Sequence, residues 1–303
     1  MLNLREPDWA YVARSLVKVL AVTAALFLAF GAVDRVLWVF IDPSDDARIG
    51  EVYGTAARIA NPDKRLSYGY GNGPRLLEAS YTLRGEPRRA GPSAGWTDHE
   101  IVENLFGGVR APSLAGPTGS LKDAIDFMDP DSAVDKEAVR KTIDGLPQTL
   151  AAVAVVEFAH PMATERLVAF NRRHTLCGGT GVSYIYAPSY YDDSDEPASL
   201  NAVVWNRDMT KDQALTDLTY QCETEPEAAL AEFRRWVGLL DEGDDFREFE
   251  LTYGWLADTA EEGVVYGLVV DRWKLADLRK LLDDLEVGTV RLTDVSFDLG
   301  KVG

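Results

Sequence analysis

The segment GVVYGLVVDRWKLADLRKLLDDL, residues 263–285, carries the clearest secondary-structure pattern in this chain of 303 residues. Its first nine residues, Gly263–Asp271, form an apolar run of strand length. From Trp273 onward the leucines recur at helical spacing, at Leu275, Leu278, Leu281, Leu282 and Leu285. The pattern predicts a buried strand followed directly by an amphipathic helix.

The same order of elements occurs earlier in the chain. Residues Ala151–Ala159 read AAVAVVEFA, an apolar run that we expect to end at His160-Pro161, and the next residues, Met162–Arg172, have helical spacing. A shift of 111 positions aligns Val153 with Val264, Leu167 with Leu278 and Phe170 with Leu281. Two strand–helix units of this kind indicate a pseudo-repeat.

Each unit is followed by another predicted strand, Val182–Ala187 after the first and Thr289–Phe297 after the second. Between the units lie a predicted strand, Asn201–Asn206, and a predicted helix, Pro226–Leu240. Helices stacked on a sheet would bury all of these apolar stripes. The sequence therefore predicts an α+β domain over residues 148–303, a ferredoxin-like sandwich of two βαβ-like repeats with an inserted helix.

An apolar segment near the N-terminus predicts a membrane span. Residues Val19–Val33 read VLAVTAALFLAFGAV without a charge. Extended to Leu16, the segment has 18 residues, about 27 Å of helix, which is close to the ~30 Å thickness of the hydrocarbon core. We expect a transmembrane and interfacial helix at residues 16–41, preceded by a short cytoplasmic tail at residues 1–15.

The flanking charges predict the orientation of this span in the lipid bilayer. Basic residues precede it (Arg5, Arg14 and Lys18), and mainly acidic residues follow it (Asp34, Asp42, Asp45 and Asp46). Because basic flanks stay on the inner side, the N-terminus should be cytoplasmic and the C-terminal domain extracytoplasmic, in a single-pass protein of the cell membrane.

Two other interpretations of the apolar segment remain open. It could be the apolar region of a cleaved signal peptide, with the small residues Ala29 and Gly31 near the cleavage site. It could also be a buried helix of a soluble protein, although fifteen consecutive uncharged and mostly apolar residues exceed an ordinary amphipathic stripe.

Residues 42–147 are rich in Gly, Pro and short polar runs, which predicts a loop-rich region close to the membrane. Within it, Leu77–Leu83 could form a strand and Asp135–Asp144 has helical spacing. The glycines Gly69, Gly71 and Gly73 favour a flexible turn over a phosphate-binding loop, because no Lys-Ser/Thr pair follows them.

The composition is that of a folded protein, 46% hydrophobic and 26% charged, with a net charge of −18. This acidic balance argues against nucleic acid as a partner, since phosphate contacts need Lys and Arg. Acids outnumber bases by 20 to 5 between Asp192 and Glu262. Two clusters stand out there, residues 192–196 and 241–245. Neither has the ligand spacing of a calcium loop, so a solvated acidic face is the better interpretation.

The chain has two cysteines, Cys177 and Cys222. In an oxidising compartment we expect them to form a disulfide. The bridge would close a loop of about 45 residues. Two unrelated buried thiols are the alternative, and use of Cys177 as a nucleophile with His174 is a weaker one because no third orienting residue is visible.

Catalytic motifs are not evident. The three histidines are His99, His160 and His174. His99 lies in WTDHE, where a helix start explains the Thr and Asp, and His160 with Glu165 and His174 lacks the spacing of a metal-binding HExxH helix. We therefore predict no catalytic, cofactor or metal site.

Three segments resemble a known family. They are VAVVEF (153–158), the helix start Pro161–Glu165, and YGLVVDRWKLADLRKLL (266–282). They are similar to the C-terminal domain of bacterial sigma factor regulators, which are single-span anti-sigma factors. The similarity covers residues 151–303 together with the span. It implies a membrane-anchored regulator of an extracytoplasmic-function sigma factor, with an exported sensor or interaction domain.

The chain departs from that family at its inner end. Family members hold a sigma factor with several cytoplasmic helical turns, whereas only residues 1–15 precede this span. The expected partner is therefore a sigma factor or a separate anti-sigma protein, reached through the membrane, and a homo-oligomer is compatible with the sequence. The alternative functions are an exported cell-envelope hydrolase and a structural envelope-binding module. A cleft with converging carboxylates or histidines would favour the hydrolase.

Overall fold

The computed structural model of the chain describes residues 9–40, 44–75, 78–92, 95–104, 106–114, 120–128, 136–176, 182–191, 199–206 and 225–297. The helices in these ranges are α1 (Trp9–Phe40), α2 (Ser44–Ala60), α3 (Ser120–Asp126), α4 (Lys136–Asp144), α5 (Thr164–His174), α6 (Glu225–Val237), α7 (Tyr253–Glu262) and α8 (Leu275–Leu282). The strands are β1 (Lys64–Arg75), β2 (Glu78–Pro87), β3 (Thr97–Asn104), β4 (Val109–Arg110), β5 (Ala151–Met162), β6 (Val182–Ala187), β7 (Tyr190–Tyr191), β8 (Ser199–Leu200), β9 (Val203–Asn206), β10 (Val265–Lys274) and β11 (Val287–Ser296). The result is a mixed α/β protein built on antiparallel sheets.

The region at residues 42–147 is not the loop-rich region that its composition predicts. It contains a four-stranded antiparallel sheet in the order β1-β2-β3-β4, together with α2, α3 and α4. Its core continues into that of residues 148–303, because Ile49 and Leu83 belong to the same buried cluster as Phe170 and Leu278. The division at residue 148 therefore does not separate two cores.

The glycines at 69–73 lie in strand β1 and not in the predicted turn. The strand is irregular there, with register shifts between Ser67 and Tyr70 and again between Gly71 and Pro74. At Gly69 a side chain could not fit, because a Cβ would lie 1.5 Å from the carbonyl oxygen of Thr82. Glycine thus permits a close approach between β1 and β2.

The second sheet has five antiparallel strands in the order β11-β5-β10-β6-β9. Helix α5 connects β5 to β6, and α8 connects β10 to β11. The strands and helices lie where the apolar runs predict them, with shifted ends. His160 and Pro161 lie inside β5 and do not end it. Leu285, expected on the buried face of the last helix, lies beyond α8 and is 90% exposed.

Strand β5 is apolar on both faces because both faces are covered. Val153 and Val155 pack in one buried cluster with Leu121 and Ile125 of α3. The alternate residues Ala154 and Val156 join the large cluster on the other face, which includes the leucines of α8. Alternate side chains of a strand point to opposite faces, so a covered sheet needs a continuous apolar run.

Helix α1 begins at Trp9, seven residues before the predicted span. Its segment Trp9–Val33 has 25 residues, is long and apolar enough to cross a membrane, and is not buried in the protein. At 1.5 Å per residue it spans about 37 Å. The predicted tail at residues 1–15 overlaps this helix, and residues 1–8 lie outside the described part.

Helix α2 lies at the centre of the folded part. From Ile49 to Asn61 every residue except Glu51 is buried. The helix contacts β1, β2 and β3 of the first sheet and β9 of the second. Near its start, Arg48 lies 2.7 Å from Asp244, which also accepts a hydrogen bond from Tyr53 at 3.2 Å. Burial, with the charges of Glu103 and Asp244, raises the pKa of Tyr53 to about 12, so this hydroxyl remains a donor.

A buried carboxylate connects the two sheets. Asp271 of β10 accepts hydrogen bonds from Arg65 of β1 at 2.8 Å and from Arg88, which follows β2, at 3.0 Å. Arg88 also donates to Ser183 of β6. The side chains of Asp271 and Arg88 are 2% and 3% exposed. A charge buried to this extent requires its partners.

Replacing Asp271 by Asn should lower the free energy of unfolding by about 3–5 kcal/mol, because it leaves the Arg88 guanidinium buried without a carboxylate. Denaturant titration of the detergent-solubilised protein, followed by tryptophan fluorescence, measures this. Asp98→Asn is the control, since Asp98 pairs with Arg84 at the surface where both side chains are 55% exposed, and its effect should stay below about 1 kcal/mol. Equal losses in the two variants would contradict a special role for the buried group.

Candidate functional site

A pocket of about 630 Å³ lies between the C-terminal end of α5 and the junction of β10 with α8. We call it the β10–α8 pocket. It is lined by Arg173, His174, Thr175, Arg272, Trp273, Lys274, Asp277, Lys280 and Leu281. Its volume is typical of sites for small molecules, and its lining is mainly basic.

The pocket owes its shape to a β-bulge in β10. Val270 pairs with Ala154 and Trp273 pairs with Ala152, so two residues of β10 face one residue of β5. The bulged residue Arg272 has a φ of 54°, in the left-handed region. This conformation costs a residue other than glycine on the order of 1 kcal/mol. Bulges often redirect side chains at functional sites.

The bulge separates two neighbouring charges. Asp271 is buried and paired with Arg65 and Arg88, whereas Arg272 is exposed and lines the pocket. Trp273 is partly buried and packs against the hydrophobic core. The indole therefore forms a fixed wall of the pocket.

The cationic groups of the pocket differ in how far they are neutralised. Arg173 pairs with Asp284 and Glu286, and Lys280 lies 2.9 Å from Asp277. Arg272 donates from Nε to the carbonyl oxygen of Arg89 at 3.5 Å and has no carboxylate partner in the described ranges.

The ammonium group of Lys274 has neither an ion pair nor a hydrogen bond within the part of the chain that the structure describes. Asp277 is the one acidic residue of the lining. Arg272 and Lys274 therefore contribute positive charge that the lining does not neutralise. The arrangement can bind an anion through charge-assisted hydrogen bonds.

A hydrogen-bonded pair, His174 and Asp284, borders the pocket at the C-terminal end of α5. His174 Nε2 lies 2.7 Å from Asp284 Oδ2, and the backbone N–H of Glu286 donates to the other carboxylate oxygen at 2.9 Å. Burial acts to raise the pKa of Asp284. The hydrogen bonds from Glu286 and His174, with the charge of Arg173, outweigh burial and hold the pKa below its usual range.

The residues singled out from the sequence do not come together in one site. Cys177 and Cys222 lie outside the described residues, so their disulfide stays a prediction. Glu165 is in the first turn of α5 and His174 is its last residue, about 13 Å apart along the axis. With His160 on β5, they cannot bind one ion. Among the described residues no group of three or more His, Cys, Asp or Glu side chains could hold a metal.

His99 lies in strand β3 and not at the start of a helix as its neighbours suggested. The ring is largely buried, and Nδ1 lies 3.0 Å from Ser113 Oγ. Its Nε2 faces the backbone at Gly85, where an added Cβ would lie 3.0 Å away. A serine–histidine pair needs a third group that orients the base, and the hydrogen bond to Ser113 alone does not make a catalytic pair.

The structure describes only one of the two acidic clusters that were predicted to form a solvated face. Residues 192–198 lie outside the described part. In the cluster at 241–245, Asp244 pairs with Arg48, and Asp245 with Arg247. The two hydrogen bonds from Arg247 are the main reason that the pKa of Asp245 falls to about 2. Asp244 and Asp245 are largely buried and paired, whereas Asp241 and Glu242 are exposed, so the predicted solvated face describes only half of this cluster.

No protein family, curated protein or solved structure matches the chain. The geometry is therefore the basis for a function. The pocket residues were missed because they come from segments about a hundred positions apart. The local signal was two basic runs, Arg172-Arg173-His174 and Arg272-Trp273-Lys274, in an acidic chain.

Asp284→Asn should reduce the stability of the protein at neutral pH by about 1.5–3 kcal/mol, because it removes an ionised hydrogen-bond acceptor. A carboxyl with a lowered folded pKa stabilises above its unfolded value of about 3.9, and this contribution disappears as the pH falls through the folded value. Asp284→Asn should therefore show a smaller loss of stability between pH 5 and pH 2, measured by thermal melts. Asp258→Asn, at an exposed position of α7, should retain the wild-type profile. An unchanged acid dependence in Asp284→Asn would refute the assignment.

Proposed function

We propose that this chain is a membrane-anchored regulator of an extracytoplasmic-function sigma factor, with an exported domain that senses or binds a ligand and signals through one helix. The partner is a sigma factor or a separate anti-sigma protein at the inner face. The lipid bilayer surrounds α1, whose apolar segment Trp9–Val33 has no protein covering in the described structure. An uncovered apolar surface of this size is stable only in lipid or against another protein.

The orientation follows from charge. Arg14 and Lys18 lie on the N-terminal part of α1, and Asp34 lies near its C-terminal end. The positive-inside preference favours a cytoplasmic N-terminus. The folded domain is then extracytoplasmic, where the predicted bridge between Cys177 and Cys222 would be stable.

The architecture of residues 148–303 supports the ferredoxin-like part of the proposal. Two strand–helix–strand units, β5-α5-β6 and β10-α8-β11, interleave so that β5 and β10 are central neighbours and every pairing is antiparallel. This strand order supports a split βαβ sandwich. Strand β9 extends the sheet by one edge strand, and α6 and α7 form the insertion between the units.

The burial of α2 is the observation that carries the signalling role. Three residues separate it from α1, and it is buried along most of its length between the two sheets. A helix packed in this way moves only if its surroundings repack, since protein cores are close-packed. A change in the folded domain would therefore be transmitted to the anchor helix, and a ligand that favours one of two states could bias it.

The topology can be tested with reporters fused after Gly303. An alkaline phosphatase fusion should be active and a green fluorescent protein fusion should be dark, because these reporters require export and cytoplasmic folding respectively. The charge-reversal variant Arg14→Glu with Lys18→Glu should weaken this bias, since it removes the basic flank. A fluorescent wild-type fusion would contradict the proposed orientation.

The signalling role can be tested by separating the two helices. Insertion of eight Gly and Ser residues between Phe40 and Ser44 should leave the protein in the membrane but uncouple α2 from α1, because such a linker is flexible. In a strain that lacks the native gene, the wild type should restore the transcript profile of one sigma factor and the insertion variant should not. An equal insertion between Gly107 and Gly108, at the hairpin between β3 and β4, is the control. Full function of the α1–α2 insertion variant would refute signalling through the helix.

A further inference from the structure

We propose that the β10–α8 pocket binds a small soluble anion in which a phosphate or carboxylate group is attached to a flat apolar ring. As the signal received by the exported domain, this ligand rests on the proposed function, but its binding site rests on the geometry alone.

The positive charge of the pocket favours a negatively charged ligand. The chain carries a net charge of −18, yet the pocket lining has four Lys and Arg side chains and one carboxylate. Arg272 and Lys274 are exposed and have no acidic partner in the described ranges. Arg173 and Lys280 are paired with carboxylates, so the excess positive charge of the pocket is that of Arg272 and Lys274. This excess charge attracts ligands of the opposite sign. An oxyanion also accepts the N–H donors of both groups.

The apolar wall and the volume of the pocket favour a ligand that also carries a flat ring. The indole of Trp273 and the buried side chain of Leu281 give the pocket an apolar wall beside its cations. Aromatic rings stack on such a wall in offset or edge-to-face geometry. The volume of about 630 Å³ accommodates a ligand with a ring, whereas an inorganic ion alone would leave most of it to water.

The construction of the pocket is specific. Arg272 adopts a left-handed conformation at a bulge, and Asp271 beside it is fixed by a buried hydrogen bond from Arg88 and a partly buried one from Arg65. Strained backbone of this kind persists only where the surroundings hold it, and it is concentrated at functional sites. The direction of Arg272, Trp273 and Lys274 is thus set by the interior of the protein.

Position favours a soluble ligand over a lipid headgroup. Arg65, which contacts Asp271 beside the pocket, lies five residues beyond the C-terminal end of α2. Helix α2 has 17 residues, so that end is about 25 Å along the axis from the end that follows α1. The pocket is therefore at the end of α2 remote from the anchor. The same contact makes a continuous path from Arg272 through Asp271 to β1, which follows α2.

Binding can be measured with 1-naphthyl phosphate as the probe and the full chain in detergent micelles, by isothermal titration calorimetry. We expect saturable binding that weakens with added salt and that is at least about tenfold tighter than for the neutral 1-naphthol or for inorganic phosphate. Lys274→Gln should weaken binding about tenfold. Arg272→Asn should weaken binding to a similar extent, and Asn is chosen because it tolerates left-handed backbone. Trp273→Leu should abolish the preference of the pocket for 1-naphthyl phosphate over inorganic phosphate.

Lys141→Gln, which removes an exposed charge from α4, is the matched control and should bind like the wild type. Circular dichroism melts identify variants that have lost their fold. The proposal is overturned if the probe does not bind, if naphthol binds equally well, if Lys274→Gln and Arg272→Asn together leave the affinity unchanged, or if phosphatidylglycerol added to the micelles displaces the probe and phosphatidylcholine does not. These outcomes do not depend on membrane topology or on a sigma factor, so failure of the site and failure of the proposed function are distinguishable.

Discussion

Strand β10 depends on a single buried carboxylate at its bulge. Asp271 holds Arg65 from the first sheet and Arg88 from the end of β2, so that three distant parts of the chain meet at one oxygen atom. Without such partners the desolvation of a buried charge would be prohibitive. The ion cluster therefore specifies how the two sheets join, and the same bulge turns the next residues of β10 outward to form the pocket.

The other constraint is the burial of α2. Its residues pack against both sheets, and its first turns are fixed by Arg48 with Asp244 and by the backbone of Glu51, which accepts a hydrogen bond from Trp236. Helix α2 is held by both sheets, so it can move only when its surroundings repack. The proposed signalling role rests on this burial.

The sequence predicts the second sheet well and the first sheet poorly, for a physical reason. Strands β5 and β10 are covered on both faces, so their apolar runs are continuous and visible locally. Strand β1 contains glycines that allow close approach to β2, and its structure depends on pairing rather than on composition. The pocket is less predictable still, because Arg173 and Lys274 are brought together by the pairing of strands far apart in sequence.

A pocket with excess positive charge can attract anions even though the whole protein is strongly acidic. At physiological ionic strength charges are screened over about 8 Å, so most of the carboxylates contribute little field inside the pocket. Arg272 and Lys274 act at contact distance, where screening is weak. The acidic surface instead lowers the concentration of anions elsewhere around the domain. The net charge therefore disfavours unspecific anion binding, whereas a ligand that also stacks on Trp273 gains from both charge and burial.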